Sequence, residues 1–156
     1  MPSFSVIKAD IFNLLVVEDR DADICLLQRA FQKAGVHIAV HYVKDGQEAL
    51  DYLQGSHQYA DRKTFPMPMM VLLDLKMPRL DGFEVLAWLK AHPLVGNLII
   101  IILSASENTR DINRAYSLGA NSYLQKPSSP GELPGILRSL EHYWRDFDHF
   151  SDNYAL

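Results

Sequence analysis

Apolar and polar positions alternate along this chain in two rhythms. Five short runs are dense in apolar residues: "IFNLLVV" (11–17), "HIAVHYV" (37–43), "MMVLLD" (69–74), "LIIIILS" (98–104) and "NSYLQK" (121–126). The first, third and fourth are nearly continuous, as expected of strands covered on both faces. Between the runs, apolar residues recur every three or four positions, marking one face of a helix. In "DADICLLQRAFQKAG" Ile24, Leu27, Phe31 and Ala34 share a side, acids lead the segment and Gly35 stops it. "DGQEALDYLQG" gathers Ala49, Leu50 and Leu53, and "DGFEVLAWLKAHP" gathers Phe83, Leu86 and Leu89 before ending at Pro93. "TRDINRAYSLGA" offers Ile112, Ala115 and Tyr116. A last helix, from about Pro130, carries Leu133, Leu137, Leu140, Trp144 and Phe147.

Strand and helix thus alternate five times, which predicts an α/β fold with a parallel sheet and helices on both faces. Right-handed crossovers and five strands suit a doubly wound, flavodoxin-like (βα)5 sheet of order 2-1-3-4-5. The expected organisation is one domain over 1–156, with its core at about 10–145 and a short C-terminal extension at 146–156. Ligands of such sheets sit outside the carboxyl ends of the strands.

The residues at those ends are polar. The first strand runs into Glu18 and Asp19, the third into Asp74, the fourth into Ser104 and the fifth into Lys126. Each has an ordinary reading by itself: a capping acid, a solvated acidic pair, a strand-end hydroxyl, a surface amine. Gathered at one sheet edge they mean more. Three close carboxylates repel, so protons or a cation must neutralise them. Oxygen ligands of this kind suit Mg²⁺, which keeps several waters and often partners phosphate. Lys126 would neutralise a phosphoryl oxygen, Ser104 would hydrogen-bond another, and Asp74 reads as a nucleophile accepting a phosphoryl group.

The segments "VVEDR", "VLLDLKMPRLDGFEVL", "IILSAS" and "SYLQKP", in this order, resemble the response-regulator receiver domain of two-component signalling over about residues 10–145. The resemblance implies that Asp74 takes a phosphoryl group from a sensor histidine kinase. It also implies that Asp19, Asp74 and the Lys76 backbone carbonyl bind Mg²⁺, with Glu18 helping through water. Tyr123 stands where the family has a ring that turns inward on activation; simple packing is its ordinary alternative. "VVEDRDADICLLQRAF", "GSHQYADRKTFPMP" and "HYWRDF" further resemble the small response regulators paired with bacterial phytochromes. Lys76 departs from the smaller or uncharged residue common at its position, and its ammonium is expected to obstruct the water that would hydrolyse the phosphoryl group.

Composition narrows the alternatives. At 156 residues and a formal charge of −4, the chain has room for one substantial core and lacks the basic surface of a nucleic-acid binder. No run approaches the roughly 20 apolar residues of a membrane span, no secretory signal is evident and Cys25 has no internal partner, so the expected compartment is the cytoplasm. The six histidines show no metal-ligand spacing, and the stretch 55–68 reads as a solvated loop. Tyr143, Trp144, Phe147 and Phe150 are more aromatics than one helix face buries, pointing to a partner contact or a homodimer through the fifth strand and the last helix. The leading function is a phosphoacceptor switch whose output is binding rather than enzymatic turnover. A pseudo-receiver that binds without phosphorylation is one alternative. A haloacid-dehalogenase-type phosphatase is another, disfavoured because Lys76 stands where that class carries its second acid.

Overall fold

The computed structural model describes residues 12–95 and 97–154, excepting the side chains of Leu94 and of residues 144–154. Five strands form one parallel sheet: β1 (Phe12–Val17), β2 (Ile38–Val43), β3 (Met70–Leu73), β4 (Ile99–Ser104) and β5 (Ser122–Gln125). Their order is β2-β1-β3-β4-β5, the flavodoxin-like arrangement expected from the alternation. Five α-helices follow them: α1 (Asp21–Ala34), α2 (Gly46–Gln54), α3 (Gly82–Ala91), α4 (Thr109–Ser117) and α5 (Leu133–Tyr154). No helix among the described residues is long and apolar enough to cross a membrane.

Two compact units divide the chain. The first joins the residues up to 19 with 37–125 and holds the whole sheet with α2, α3 and α4. Its core interleaves Leu15, Val17, Val71, Leu73, Ile100 and Ile102 with Ala49, Leu53, Phe83, Leu86 and Ala115 from those helices. Leu14, Val16, Met70, Leu72 and Ile101, which alternate with those strand residues, are buried as well. Burial on both faces explains why β1, β3 and β4 lack the polar alternation of a half-exposed strand. Each fully buried Leu or Ile contributes about 1.5–3 kcal/mol, so the central strands dominate the stability of this unit. The edge strand β2 is only half-buried along most of its length, matching its mixed sequence.

The second unit joins 20–36 with 126 onward, and in it α1 packs against α5. Ile24, Leu27, Ala30 and Phe31 are buried on α1, as are Leu133, Leu137 and Leu140 on α5. Gly35, at φ 66°, closes α1 with a left-handed cap that a side chain would strain. Beyond residue 145 the expected extension continues as helix to Tyr154. Ile11 and the side chains of Trp144, Phe147 and Phe150 lie outside the described residues, while Tyr143 is 47% exposed.

The stretch 55–68 is solvated only in part: His57, Gln58, Ala60, Asp61, Lys63 and Thr64 are exposed, as expected, but Tyr59 and Phe65 are packed. Tyr59 is buried, and its ring lies 5.0 Å from Tyr52 and 5.1 Å from Phe65 between centroids. The Arg62 guanidinium donates to the carbonyls of Tyr52 (2.8 Å), which also accepts the Gly55 N–H, and of Leu53 (2.9 Å), adding to the cap at the end of α2. Tyr52 in turn donates its hydroxyl to the Pro66 carbonyl at 2.9 Å. Aromatic pairs and an arginine cap are tertiary features with no local sequence period.

His41 on β2 joins this cluster, its ring 5.8 Å from Tyr52 and 6.1 Å from Phe65. Burial lowers its pKa below the ordinary 6.5. The native state therefore binds fewer protons than the unfolded chain just below pH 6.5, and stability falls as the pH falls through that window. Melting temperature measured between pH 7.5 and 5.5 should drop more steeply for the wild type than for His41→Gln. Equal slopes would remove His41 as the source.

Candidate functional site

The apolar strands deliver their following residues to one edge. Asp74 lies one position beyond β3, and its N–H donates to the Val17 carbonyl at 3.1 Å, extending the ladder with β1. Glu18 follows β1 directly, its N–H donating to Val43 at 3.0 Å. These two backbone bonds place the Glu18–Asp19 pair beside Asp74. One carboxylate oxygen from each of Glu18, Asp19 and Asp74 lies within 4.8 Å of the others. Glu18 (2% exposed) and Asp74 (7%) are buried, and Asp19 is half-buried.

Like charges so close repel by on the order of 3 kcal/mol per pair at an effective dielectric of about 20. The buried Oδ1 of Asp19 has no hydrogen-bond partner among the described residues. An orphaned buried oxygen facing two further carboxylates is the donor set of a hard divalent cation, and these residues fit one. The expected ligands Glu18, Asp19 and Asp74 are thus brought together.

The turn after Asp74 is held by a close approach. The Gly82 N–H donates to the Leu75 carbonyl at 2.9 Å, and a Cβ on Gly82 would lie only 2.3 Å from the Asp74 carbonyl oxygen. Only glycine leaves room for α3 to begin there. Asp81 caps that helix by accepting the Glu84 N–H at 2.9 Å. Lys76, between these anchors, has an exposed side chain.

Ser104 ends β4 fully buried, its Oγ accepting the Ser106 N–H at 3.3 Å. The Ser106 hydroxyl donates to Asp111 of α4 at 2.7 Å, and the Ser106 carbonyl accepts the Tyr123 hydroxyl at 2.8 Å. Tyr123 is half-buried and packs against the core. Tyr116, expected on the apolar side of α4, instead is 47% exposed and its hydroxyl accepts the Tyr123 N–H at 3.1 Å. That bond covers a donor of the edge strand β5. Lys126, in the second unit, is half-buried and donates its ammonium to Asp23 of α1 at 3.0 Å.

Sequence reasoning missed Asp23, Ser106 and Tyr116, whose parts depend on contacts between elements. The acids of "EDRDAD" hinted at Asp23, but a first-turn acid on a helix has an ordinary dipole explanation.

Comparison with known proteins agrees with this geometry. Residues 14–138 match the family described as response regulator receiver domain. Among curated relatives, the probable methanogenesis regulatory protein FilR2 of Methanothrix harundinacea is 38% identical, the match covering 92% of this chain and 91% of that protein. Among solved structures, response regulator RPA3017 in red light signaling of R. palustris is 42% identical with a TM-score of 0.81, covering 86% of this chain and 94% of that one. The phosphorylated cyanobacterial phytochrome response regulator RcpA is 36% identical with a TM-score of 0.78, covering 86% and 94%. The chain belongs to the response regulator receiver domain family.

Proposed function

We propose that this chain is a single-domain response regulator that accepts a phosphoryl group on Asp74 from a sensor histidine kinase and signals by binding a partner. The observation that carries this reading is the cluster of Glu18, Asp19 and Asp74 at the ends of β1 and β3, with an orphaned Asp19 oxygen. In the transfer, an Asp74 carboxylate oxygen bonds to phosphorus while the P–N bond of the kinase phosphohistidine breaks, its electron pair leaving on the imidazole nitrogen. Bound Mg²⁺ would neutralise the crowded carboxylates and the developing phosphoryl charge. Asp19, Asp74 and the Lys76 carbonyl are its proposed ligands, with Glu18 acting through water. Ser104 and Lys126 are the proposed donors to the phosphoryl oxygens, and Tyr123 the switch that reads them through Ser106. Slow self-catalysed phosphorylation and dephosphorylation at Asp74 is the only chemistry in this reading.

The red-light and phytochrome relatives support a phytochrome-type kinase as partner, while FilR2 supports a different input for part of the family. A cytoplasmic location follows from partnership with the kinase's signalling domain. A homodimer through β5 and the C-terminal helix is supported, among the described residues, by the exposure of Tyr143. The pseudo-receiver and phosphatase alternatives are not favoured: the acid, hydroxyl and lysine set is present, and Lys76 replaces the phosphatase's second acid.

Incubation with Mg²⁺ and a small phosphodonor should add one phosphoryl mass to the wild type and none to Asp74→Asn, since an amide is not a nucleophile. Labelling that persists in Asp74→Asn contradicts the assignment.

Because the Lys76 side chain is exposed, its expected hindrance of water is small. Lys76→Ala should shorten the phosphorylated lifetime by ~3-fold, equivalent to ~0.7 kcal/mol in the barrier. Decay followed at one Mg²⁺ concentration decides this: an unchanged lifetime leaves the ammonium in water, and a longer one reverses the sign.

A further inference from the structure

The loop from Leu75 to Asp81 contains Arg79 at φ 64°, a left-handed conformation that residues with a Cβ seldom adopt. What holds it there is a grip from the neighbouring loop before α2. Asp45 is 3% exposed. One of its oxygens accepts the Glu48 N–H at 2.8 Å, capping α2, and the other receives the Arg79 guanidinium in an ion pair. The adjacent Gly46 N–H donates to the Leu80 carbonyl at 3.1 Å, and a Cβ on Gly46 would lie 2.2 Å from that oxygen. The cap and the first residue of α2 therefore grip two successive residues of that loop. The remaining anchors are the buried side chains of Leu75 and Met77 and the Gly82–Leu75 bond.

We infer that the Asp45–Arg79 ion pair is a positioning device for the Lys76 carbonyl, tuning the affinity of the acidic cluster for a divalent cation. This rests on the proposed reading of that carbonyl as a ligand. A carboxylate ligand adjusts by rotating about its own bonds, but a carbonyl oxygen moves only with its backbone. Mg²⁺ demands near-octahedral ligands at roughly 2.0–2.1 Å, so small displacements of that backbone weaken binding. The pair is a poor candidate for a purely stabilising contact. Arg79 is 72% exposed at its side chain and holds a strained backbone, while Asp45 already has a capping role.

Charge and position make opposite demands, which allows a clean test. Removing the Arg79 cation should by electrostatics alone tighten Mg²⁺ binding, whereas loss of positioning weakens it. Arg79→Gly relieves the left-handed strain but leaves the buried Asp45 carboxylate without its cation, so a merely structural residue would lower stability and leave affinity no weaker. Asp45→Asn keeps a good helix cap while removing the charge. Titration with Mg²⁺ should show Kd raised ~3- to 10-fold in Arg79→Gly, where charge and position oppose each other, less than the ~10–100-fold seen when a direct partner of a ligand is lost. Asp45→Asn, where both act in one direction, should weaken binding at least as much. Arg79→Lys should recover part of the loss. In the metal-free proteins, amide hydrogen exchange at residues 75–80 should quicken in both variants by more than it does in the β1 and β3 core, which separates local loosening from a general loss of stability. An Arg79→Gly affinity equal to or tighter than wild type overturns the inference while leaving the proposed site intact. A wild type that binds no Mg²⁺ overturns both.

Discussion

Three carboxylates crowded at the ends of two central strands, buried but for Asn13, are the constraint on which the rest of this structure depends. Glu18, Asp19 and Asp74 bring their oxygens within 4.8 Å of one another because β1 and β3 are neighbours in register, with Val17 opposite Leu73. The acids cannot move apart without pulling those strands out of the core. Hydrophobic burial holds the charges together, and their repulsion is answered by the proposed cation. The glycine at 82 follows from the same crowding, since α3 must start against the Asp74 carbonyl.

From that edge a short hydrogen-bonded path leads outward. Ser104 is tied to Ser106, Ser106 to both Asp111 and Tyr123, and the Tyr123 backbone to Tyr116. A change in what Ser104 bonds is thereby placed one residue away from α4 and two from an exposed tyrosine. Lys126, held by Asp23, gives the second unit a comparable junction between α1 and the start of its α5 segment. These are physical routes by which a change at the strand ends can reach the surface of each unit.

Much of the fold was legible because its cause is local. Near-continuous apolar runs mark strands buried on both faces, and each of the five appears within a residue or two of its expected ends. The helices expected in "DGQEALDYLQG" and "DGFEVLAWLKAHP" form there, and the structure adds that Asp45 and Asp81 cap them. The acidic cluster was legible for a topological reason, since parallel strands must end at the same edge. What escaped was set by contacts between distant segments. Arg62 closing α2 ties down a stretch that is otherwise largely solvated, and Tyr116 leaves the apolar side of α4 to bond β5. Nor does a lone Asp before a helix announce that it is buried against Arg79.

The central claim is that the strand-end carboxylates repel and are reconciled by a divalent cation. Thermal melting of the wild type and Asp19→Asn, each with and without Mg²⁺, tests it most directly, because a ligand that binds only the native state raises its stability. The account predicts that Mg²⁺ raises the wild-type melting temperature by several degrees. It also predicts that metal-free Asp19→Asn melts at or above the metal-free wild type and gains little from Mg²⁺. A wild type indifferent to Mg²⁺, or an Asp19→Asn variant that responds to it equally, would contradict the account.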